Sequence, residues 1–292
     1  LAGIAYTYVG YPLIIAALAR LRPRPHATAD IEPTVSVLVA AYNEEAFIAH
    51  KIENTLALDY PEDKLELVIV TDGSNDRTPD IVRSFASPRV RLLHEVERRG
   101  KSAAIARAFP ATRGEIVLFS DANCFLERNG VRRLVRHFAD PAVGGASGAK
   151  RMLDEGETPS GKGEGLYWRY ESFLKACDSA VSSAMGAPGE VWAVRREAFV
   201  PPEEGVILDD FVASLRLVEA GWRLIFDPQA LAFERSSASL RGEWVRRTRN
   251  AAGGWQAWTL LPGMRSHPSR LVRFQYLSHR MLRWMVTPSL FV

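Results

Sequence analysis

Short apolar runs alternate with mixed stretches from residue 35 to about 147, and most of the runs end in a carboxylate. Val35–Ala40 leads into Asn43, Glu44 and Glu45, Leu65–Val70 into Thr71-Asp72-Gly73-Ser74, and Ile116–Phe119 into Ser120-Asp121-Ala122-Asn123. Val206–Leu208 leads in the same way into Asp209-Asp210. Continuous β-branched runs of this length read as strands buried on both faces. Between them, Glu44–Leu58 carries Ile48, Ile52 and Leu56 at a spacing of four and predicts a helix that stops before Pro61. Pro79–Phe85, with proline in its first turn, Lys101–Phe109 and Val131–Phe138 predict three more. With short strands at Val90–Leu93 and Val143–Ala146, this βαβα order predicts a mostly parallel sheet with right-handed crossovers.

The later chain is less regular. Met152–Gly165 is polar and Gly-rich and reads as a loop, and Leu166–Ala176 reads as a helix. Gly186–Val194 holds a Gly/Pro turn and a short strand. Asp209–Ala220 is a helix stopped by Gly221. Arg223–Phe226 and Ala230–Phe233 read as two short strands, and Glu243–Trp258 as a helix.

The two ends have a different character. Leu1–Ala19 has no charged residue, and about 20 apolar residues suffice to cross a bilayer. Arg20, Arg22 and Arg24 follow at once, which places that end in the cytoplasm by the positive-inside rule. A signal peptide would carry its charge before the apolar run. Leu271–Val292 mixes Arg273, His279, Arg280 and Arg283 with Phe274, Tyr276, Leu277, Met281, Leu282 and Trp284. Such a basic amphipathic helix suits a membrane surface, and the apolar turn after Arg283 reads as the start of a second membrane segment. Together with the start at Leu1, this pattern reads as a piece of a longer, multi-pass inner-membrane protein.

Composition narrows the function. The 292 residues are 47% hydrophobic, enough for one large α/β domain with attachments. A net charge of +3 gives no sign of general nucleic-acid binding. Cys124 and Cys177 are too few for a disulfide framework or a zinc site and suit a reduced compartment. Gly100-Lys101-Ser102 resembles the end of a P-loop, but Glu95 stands where the earlier glycine belongs. Gly144, Gly145 and Gly148 miss the dinucleotide fingerprint because Val143 holds its first position.

Ligands of open α/β sheets sit beyond the carboxyl ends of the strands, and acids gathered there need a cation or a strongly polar ligand. Asp121 and Asn123 alternate in an extended segment, so both can face one ligand, and that donor pair suits a hard divalent cation. Each acidic triplet alone is an ordinary turn. Asp209-Asp210 alone also suits a helix N-terminus, and Arg246, Arg247 and Arg249 suit either a solvated face or a pyrophosphate.

Taken in order, Ala41-Tyr42-Asn43-Glu44, Thr71-Asp72-Gly73-Ser74, Lys101, Asp121-Ala122-Asn123, Leu208-Asp209-Asp210 and Arg246-Arg247-Thr248-Arg249-Asn250 resemble the family 2 inverting glycosyltransferases. The likeness is to the membrane-embedded members, such as cellulose, hyaluronan and poly-N-acetylglucosamine synthases, and it covers roughly residues 33–255. It implies a GT-A fold, a nucleotide-diphospho-sugar transferase sheet flanked by helices. The expected division is a transmembrane helix over 1–21 and the GT-A domain over 33–235. Diphosphate-binding and interface helices follow over 240–270, then an amphipathic and membrane segment over 271–292.

The resemblance also implies roles. Ala41, Tyr42 and Glu44 would hold the nucleoside of a UDP-sugar donor, and Asp72 would accept from the uracil ring N–H. Lys101 matches a lysine near the ribose and phosphates. Asp121 and Asn123 match an Asp-x-Asp site for Mg²⁺ or Mn²⁺, with asparagine removing one charge. Asp210 takes the place of the general base, with Asp209 beside it. Arg249 keeps a diphosphate-binding arginine, Arg246 replaces a glutamine, and Asn250 replaces a tryptophan that stacks on the acceptor sugar. Trp255 or Trp258 would have to supply that surface. Gly186-Ala187-Pro188-Gly189 resembles the acceptor loop ahead of Trp192, a residue that suits core packing equally well. The implied activity is inverting sugar transfer to a glycan or lipid-linked acceptor at the cytoplasmic face of the bilayer. A catalytically silent nucleotide-sugar-binding subunit and a nucleotidyltransferase are the rival readings.

Overall fold

Strand β1 (Val35–Ala41) forms the middle of one half of the sheet, and its alternate residues serve two cores. Val35, Val37 and Val39 pack with Ile48 and Ile52 of helix α2 (Ile48–Leu56) on one face. Leu38 packs on the other face with Ala104 and Ala108 of α4 (Lys101–Ala108). Burial of both faces is what a continuous apolar run requires. The computed structural model describes residues 2–152, 159–234 and 240–286, with side chains described outside 152–164 and 240–247.

The sheet has eight strands. β2 (Leu65–Asp72), α3 (Thr78–Ser84), β3 (Val90–Glu95) and β4 (Ile116–Phe119) complete the first half, and β3, β2, β1 and β4 lie side by side in parallel. The second half is mixed. β7 (Trp192–Arg195) runs antiparallel to β4 and to β6 (Val143–Met152), and β6 is parallel to β8 (Arg223–Glu234). The two-residue β5 (Phe125–Leu126) closes the edge antiparallel to β8. The mostly parallel expectation therefore holds for the first four strands only.

The inversion has a use. Phe119, the last residue of β4, lies opposite Trp192, the first residue of β7. The loop ahead of β7 is thereby delivered to the carboxyl end of β4. Likewise Phe125 lies opposite Phe233, which brings Glu234 to the turn after β4.

Several elements differ from their sequence readings for identifiable reasons. α2 begins at Ile48 because the four residues before it form a turn, with the Phe47 and Ile48 amides both donating to the Glu44 carbonyl. Its buried face is Ile48, Lys51, Ile52 and Thr55, while Leu56 is half-buried. Val206–Leu208 is not a strand: it is a short turn-rich segment between Gly205 and α7 (Asp209–Glu219). Arg223–Phe226 and Ala230–Phe233 are one strand, and β6 beside it absorbs the irregularity through register shifts near Val143 and Ser147. α6 (Pro159–Val181) starts inside the stretch read as a loop, of which 153–158 lie outside the described residues. α5 (Gly130–Val135) and α8 (Leu240–Leu260) fall near their expected places.

The N-terminal segment is one helix, α1 (Ala2–Leu21), with a π-helical stretch over Tyr6–Gly10. Its mean hydropathy is 1.5, and among the described residues it is the one helix long and apolar enough to cross a membrane. Val9, Leu13, Ile14 and Leu21 are exposed, whereas Tyr11 and Ile15 pack against Leu174 and Val181 of α6. After the short α9 (Pro262–Ser266), α10 (Arg270–Gln275), a π-helical stretch (Tyr276–Met281) and α11 (Leu282–Val286) run on as the third member of this group.

A buried carboxylate joins the three. Asp178 of α6 accepts from the Tyr11 hydroxyl at 2.5 Å, from Gln275 Nε2 at 3.0 Å and faces His279 Nδ1 at 2.5 Å. Buried donors deprived of an acceptor lose their desolvation free energy without return. Asp178→Leu should therefore cost about 3 kcal/mol or more, and Tyr11→Phe about 1 kcal/mol, in thermal or denaturant unfolding.

Candidate active site

The first two loops at the carboxyl edge of the sheet are zipped together. Asn43, in the left-handed region at φ 55°, donates through Nδ2 to Asn75 Oδ1 at 2.8 Å and accepts from the Asn75 amide at 2.9 Å. The Glu44 amide donates to Thr78 Oγ1 and the Glu45 amide to Asp76. Ala41 is buried at the end of β1. Tyr42 is partly open to solvent, with the Arg98 guanidinium 3.7 Å above its ring. Glu44 is half-buried, and burial together with Asp121, Asp76 and Glu234 raises its carboxyl above the ordinary range.

Asp72 ends β2 and is almost fully buried. Its Oδ2 accepts from the amides of Arg99 and Gly100 at 3.0 and 2.6 Å, and Arg107 lies 3.3 Å from Oδ1. Those bonds fix the loop that opens α4. Lys101, the first residue of that helix, sends its ammonium across the rim to Asp121 Oδ1 at 2.7 Å. Burial opposes the charge on Lys101, but Asp121, Asp209 and Asp210 outweigh it and raise its pKa. Burial likewise pushes Asp121 upward, and Lys101 more than reverses that, holding the carboxyl below its ordinary range.

Asp210 sits in the first turn of α7. Its Oδ1 accepts from the Phe211 amide at 2.7 Å. Burial first, and then the adjacent Asp209, push its carboxyl up to about 7 against the pull of Lys101. The other oxygen faces the loop before β7: a Cβ placed on Gly189 would lie 3.0 Å from Asp210 Oδ2 and 3.3 Å from Lys101 Nζ. Lys101, Gly189, Asp209, Asp210 and the edge of Trp192 thus line one cleft. Trp192 itself is 2% exposed and stacks on Phe119 with centroids 4.9 Å apart, so most of it is core.

Gly186 adopts φ +103°, and a Cβ there would stand 2.6 Å from the Phe211 ring. No other residue would let the loop pass so close to the residue after Asp210. Arg280 secures the same loop by donating from Nε to the Met185 carbonyl at 2.5 Å. On α8, Gly253 and Gly254 allow close approach of Leu208 and of the Trp284 ring. Gln256 clips the segment ahead of Asp209: its Oε1 accepts from the Ile207 amide at 2.8 Å and its Nε2 donates to the Gly205 carbonyl at 2.9 Å. Trp255 is half-exposed, while Trp258 lies beneath the Arg265 guanidinium. Arg249 is exposed on α8, and the side chain of Arg246 lies outside the described residues.

Asn123 has a partner that sequence reasoning missed. Its Nδ2 donates to Glu234 Oε1 at 3.0 Å, and Glu234 is ion-paired with Lys150, which also holds Glu190 at 3.0 Å. Glu234 ends the apolar run Ala230–Phe233, so the run-then-carboxylate signal was present there too. Gln256 and Lys51 left no comparable signal: neither stands in a motif, and each acts through backbone it meets only in the fold.

Among the described residues no group of three or more His, Cys, Asp or Glu is arranged to cage a metal. Asn123 gives its amide nitrogen to Glu234, and that bond leaves its oxygen, two residues from Asp121 in sequence, as a potential ligand. One carboxylate and one amide oxygen fit a cation that takes its remaining ligands from diphosphate and water.

Comparison with known proteins identifies the family to which this fold belongs. Residues 36–200 match the profile of glycosyl transferase family 2. A beta-monoglucosyldiacylglycerol synthase of Nostoc is 31% identical over 81% of this chain and 53% of its own length. The probable glycosyltransferase YdaM of Bacillus subtilis is 27% identical over 76% of this chain and 55% of its own. The chain therefore spans about half the length of these curated relatives. Among solved structures, the mannosyltransferase PcManGT of Pyrobaculum calidifontis, in complex with GDP-Man and Mn²⁺, superposes with a TM-score of 0.78 at 27% identity, covering 99% of this chain and 83% of that one. Staphylococcus aureus TarS shares the fold at a TM-score of 0.61 and 15% identity, over 87% of this chain and 73% of its own. With more than half of its residues in the family's profile and a GT-A transferase sheet around the cleft, the chain belongs to glycosyl transferase family 2.

Proposed function

We propose that this chain transfers a sugar from a nucleoside-diphosphate sugar to an acceptor hydroxyl with inversion, using Asp210 as general base and a divalent cation at Asp121 and Asn123. The observation that carries the reading is the convergence of Lys101 on Asp121 and Asp210, with the Gly189 loop against Lys101 and Asp210. A carboxyl poised at about 7 is matched to proton uptake near neutral pH. That poise also argues against a catalytically silent subunit.

In the reaction, the acceptor oxygen attacks the anomeric carbon and the bond from that carbon to the diphosphate oxygen breaks. The acceptor proton passes to Asp210, on the face of the sugar away from the leaving group. The diphosphate departs as an anion, and Lys101 and Arg249 supply positive charge to it. A bound Mg²⁺ or Mn²⁺ would neutralise part of the developing charge on that diphosphate. Ala41, Tyr42, Glu44 and Asp72 are assigned to the nucleoside, which the family resemblance implies is uridine. A solved relative with GDP-Man makes guanosine donors part of the same test. On the acceptor side we assign Gly186, Trp192 and the open face of Trp255.

The acceptor is assigned as a glycan or a lipid-linked group at a membrane surface. The observation that supports this is the apolar α1 with its exposed Val9, Leu13, Ile14 and Leu21; the expected basic surface of the C-terminal helix adds nothing to it, because His279, Arg280 and Arg283 turn inward to Asp178 and Glu171. α1 would span the inner membrane, and the catalytic domain would lie on its cytoplasmic side. A panel of UDP- and GDP-sugars with Mn²⁺, read as nucleotide release and product mass, tests the assignment. Nucleotide binding without turnover of any donor would overturn it.

Four outcomes are expected. Asp210→Asn lowers kcat by about 10²-fold or more while nucleotide affinity measured by calorimetry stays within a few-fold. Its folded carboxyl lies above its unfolded value, so the folded state loses stability progressively as pH rises from the ordinary carboxylate range, and the loss is complete above about 7. The same variant should therefore gain on the parent as pH rises through that window, and melt higher than it at pH 8. Parent activity should rise with pH through about 7, and Lys101→Met should move that limb upward, because the cation that pulls Asp210 down is gone. Removal of divalent cations with EDTA should abolish transfer, and Mn²⁺ should restore it.

A further inference from the structure

Lys51 is fully buried, yet among the described residues it has no carboxylate in ion-pair contact. It projects from the inner face of α2, between Ile48 and Ile52 on one side and Thr55 on the other. Burial of an ammonium in that setting is costly unless hydrogen bonds replace its water. Two such bonds are present: Nζ donates to Ser120 Oγ at 2.7 Å and to the Cys124 carbonyl at 2.6 Å. Ser120 then donates from Oγ to the Glu190 carbonyl at 2.9 Å.

These contacts have a definite topology. Ser120 and Cys124 are the two feet of the turn that carries Asp121 and Asn123, and the Cys124 amide closes that turn on the Asp121 carbonyl at 3.2 Å. One ammonium therefore bridges both ends of the turn from below. Through Ser120 it also reaches the backbone of Glu190, in the loop beside Asp210. A neutral side chain could satisfy neither the hydroxyl nor the carbonyl acceptor here at the full strength of a charged donor. The charge also lies beneath Asp121 and acts to favour its carboxylate form.

We propose that Lys51 is a positioning residue, an interior clasp that holds the Asp121–Asn123 turn in its ligand-presenting shape before donor or cation arrives. The clasp rests on the assignment of Asp121 and Asn123 to the cation, but its structural part can be tested without any ligand. Lys51→Met keeps the aliphatic stem and removes both bonds. In hydrogen exchange of the ligand-free protein, amides of residues 120–124 should lose at least tenfold protection, while those of β2 keep theirs. By calorimetry, the Mn²⁺ concentration needed for half-maximal binding in the presence of UDP or GDP should rise about tenfold. At saturating Mn²⁺, kcat should remain within threefold of the parent.

Ser120→Ala removes one acceptor and leaves the charge, so it should shift exchange and Mn²⁺ affinity in the same direction by a smaller factor. It also decides the matter if Lys51→Met does not fold. Unchanged protection of 120–124 in a folded Lys51→Met, or in Ser120→Ala if that variant alone folds, overturns the clasp. A loss of kcat with unchanged Mn²⁺ affinity overturns it equally. If the parent binds neither nucleotide nor Mn²⁺, the proposed function fails, and the exchange result alone still decides whether Lys51 holds the turn.

Discussion

The bond between Lys101 and Asp121 is the interaction on which the rest of the site depends. Asp72, Asp121, Asp209 and Asp210 come from three distant parts of the chain, and gathering them at one edge without a cation would be strongly unfavourable. Lys101 supplies that cation from the first residue of a helix. Asp72, in turn, holds the two amides just ahead of it. The carboxylate at the end of the second strand thus acts on the centre indirectly, by fixing where the lysine begins. This gives the charge balance a mechanical basis: displacement of the loop at 97–100 would unbalance carboxylates more than 20 residues away in sequence.

A second consequence concerns the two faces of Lys101. It depresses Asp121 while only partly restraining Asp210, and the difference comes from surroundings rather than residue type. Asp121 has the ammonium in hydrogen-bond contact. Asp210 has a like charge next to it and one backbone amide. Two aspartates of one cleft are thereby pushed apart in acidity, one kept ionised to meet a cation and one able to take up a proton. That separation needs no unusual side chain.

Much of the first half of the fold was legible in sequence, because each parallel strand buried on both faces leaves an unbroken apolar run. Asp72, Lys101, Asp121 and Asp210 were legible for a related reason: strand ends and helix starts are the points where polar residues interrupt such runs. The second half was harder to read. β7 runs antiparallel, and a four-residue strand carries no mark of its direction. Val206–Leu208 has the composition of a strand, but among the described residues its backbone pairs with no neighbouring strand: the Ile207 amide donates to the Gln256 side chain 49 residues further on, and the Val206 carbonyl accepts from Ser102. Lys51 was least legible of all. A lysine on a helix reads as a solvated position, and only the packing of α2 over the turn after β4 places its ammonium in the interior.

The close packing of α8 and α11 on the catalytic segment has a temporal side. Leu208 needs Gly253 beside it, and Phe211 meets both the Trp284 ring and the Gly186 loop that Arg280 secures. A chain emerging from the ribosome presents its whole nucleotide-facing edge well before any of those supports exist. The half of the cleft facing the acceptor becomes ordered only after about forty to seventy further residues have been made. Synthesis order therefore separates the making of the strand-end rim from the making of the supports that fix the segment around Asp210.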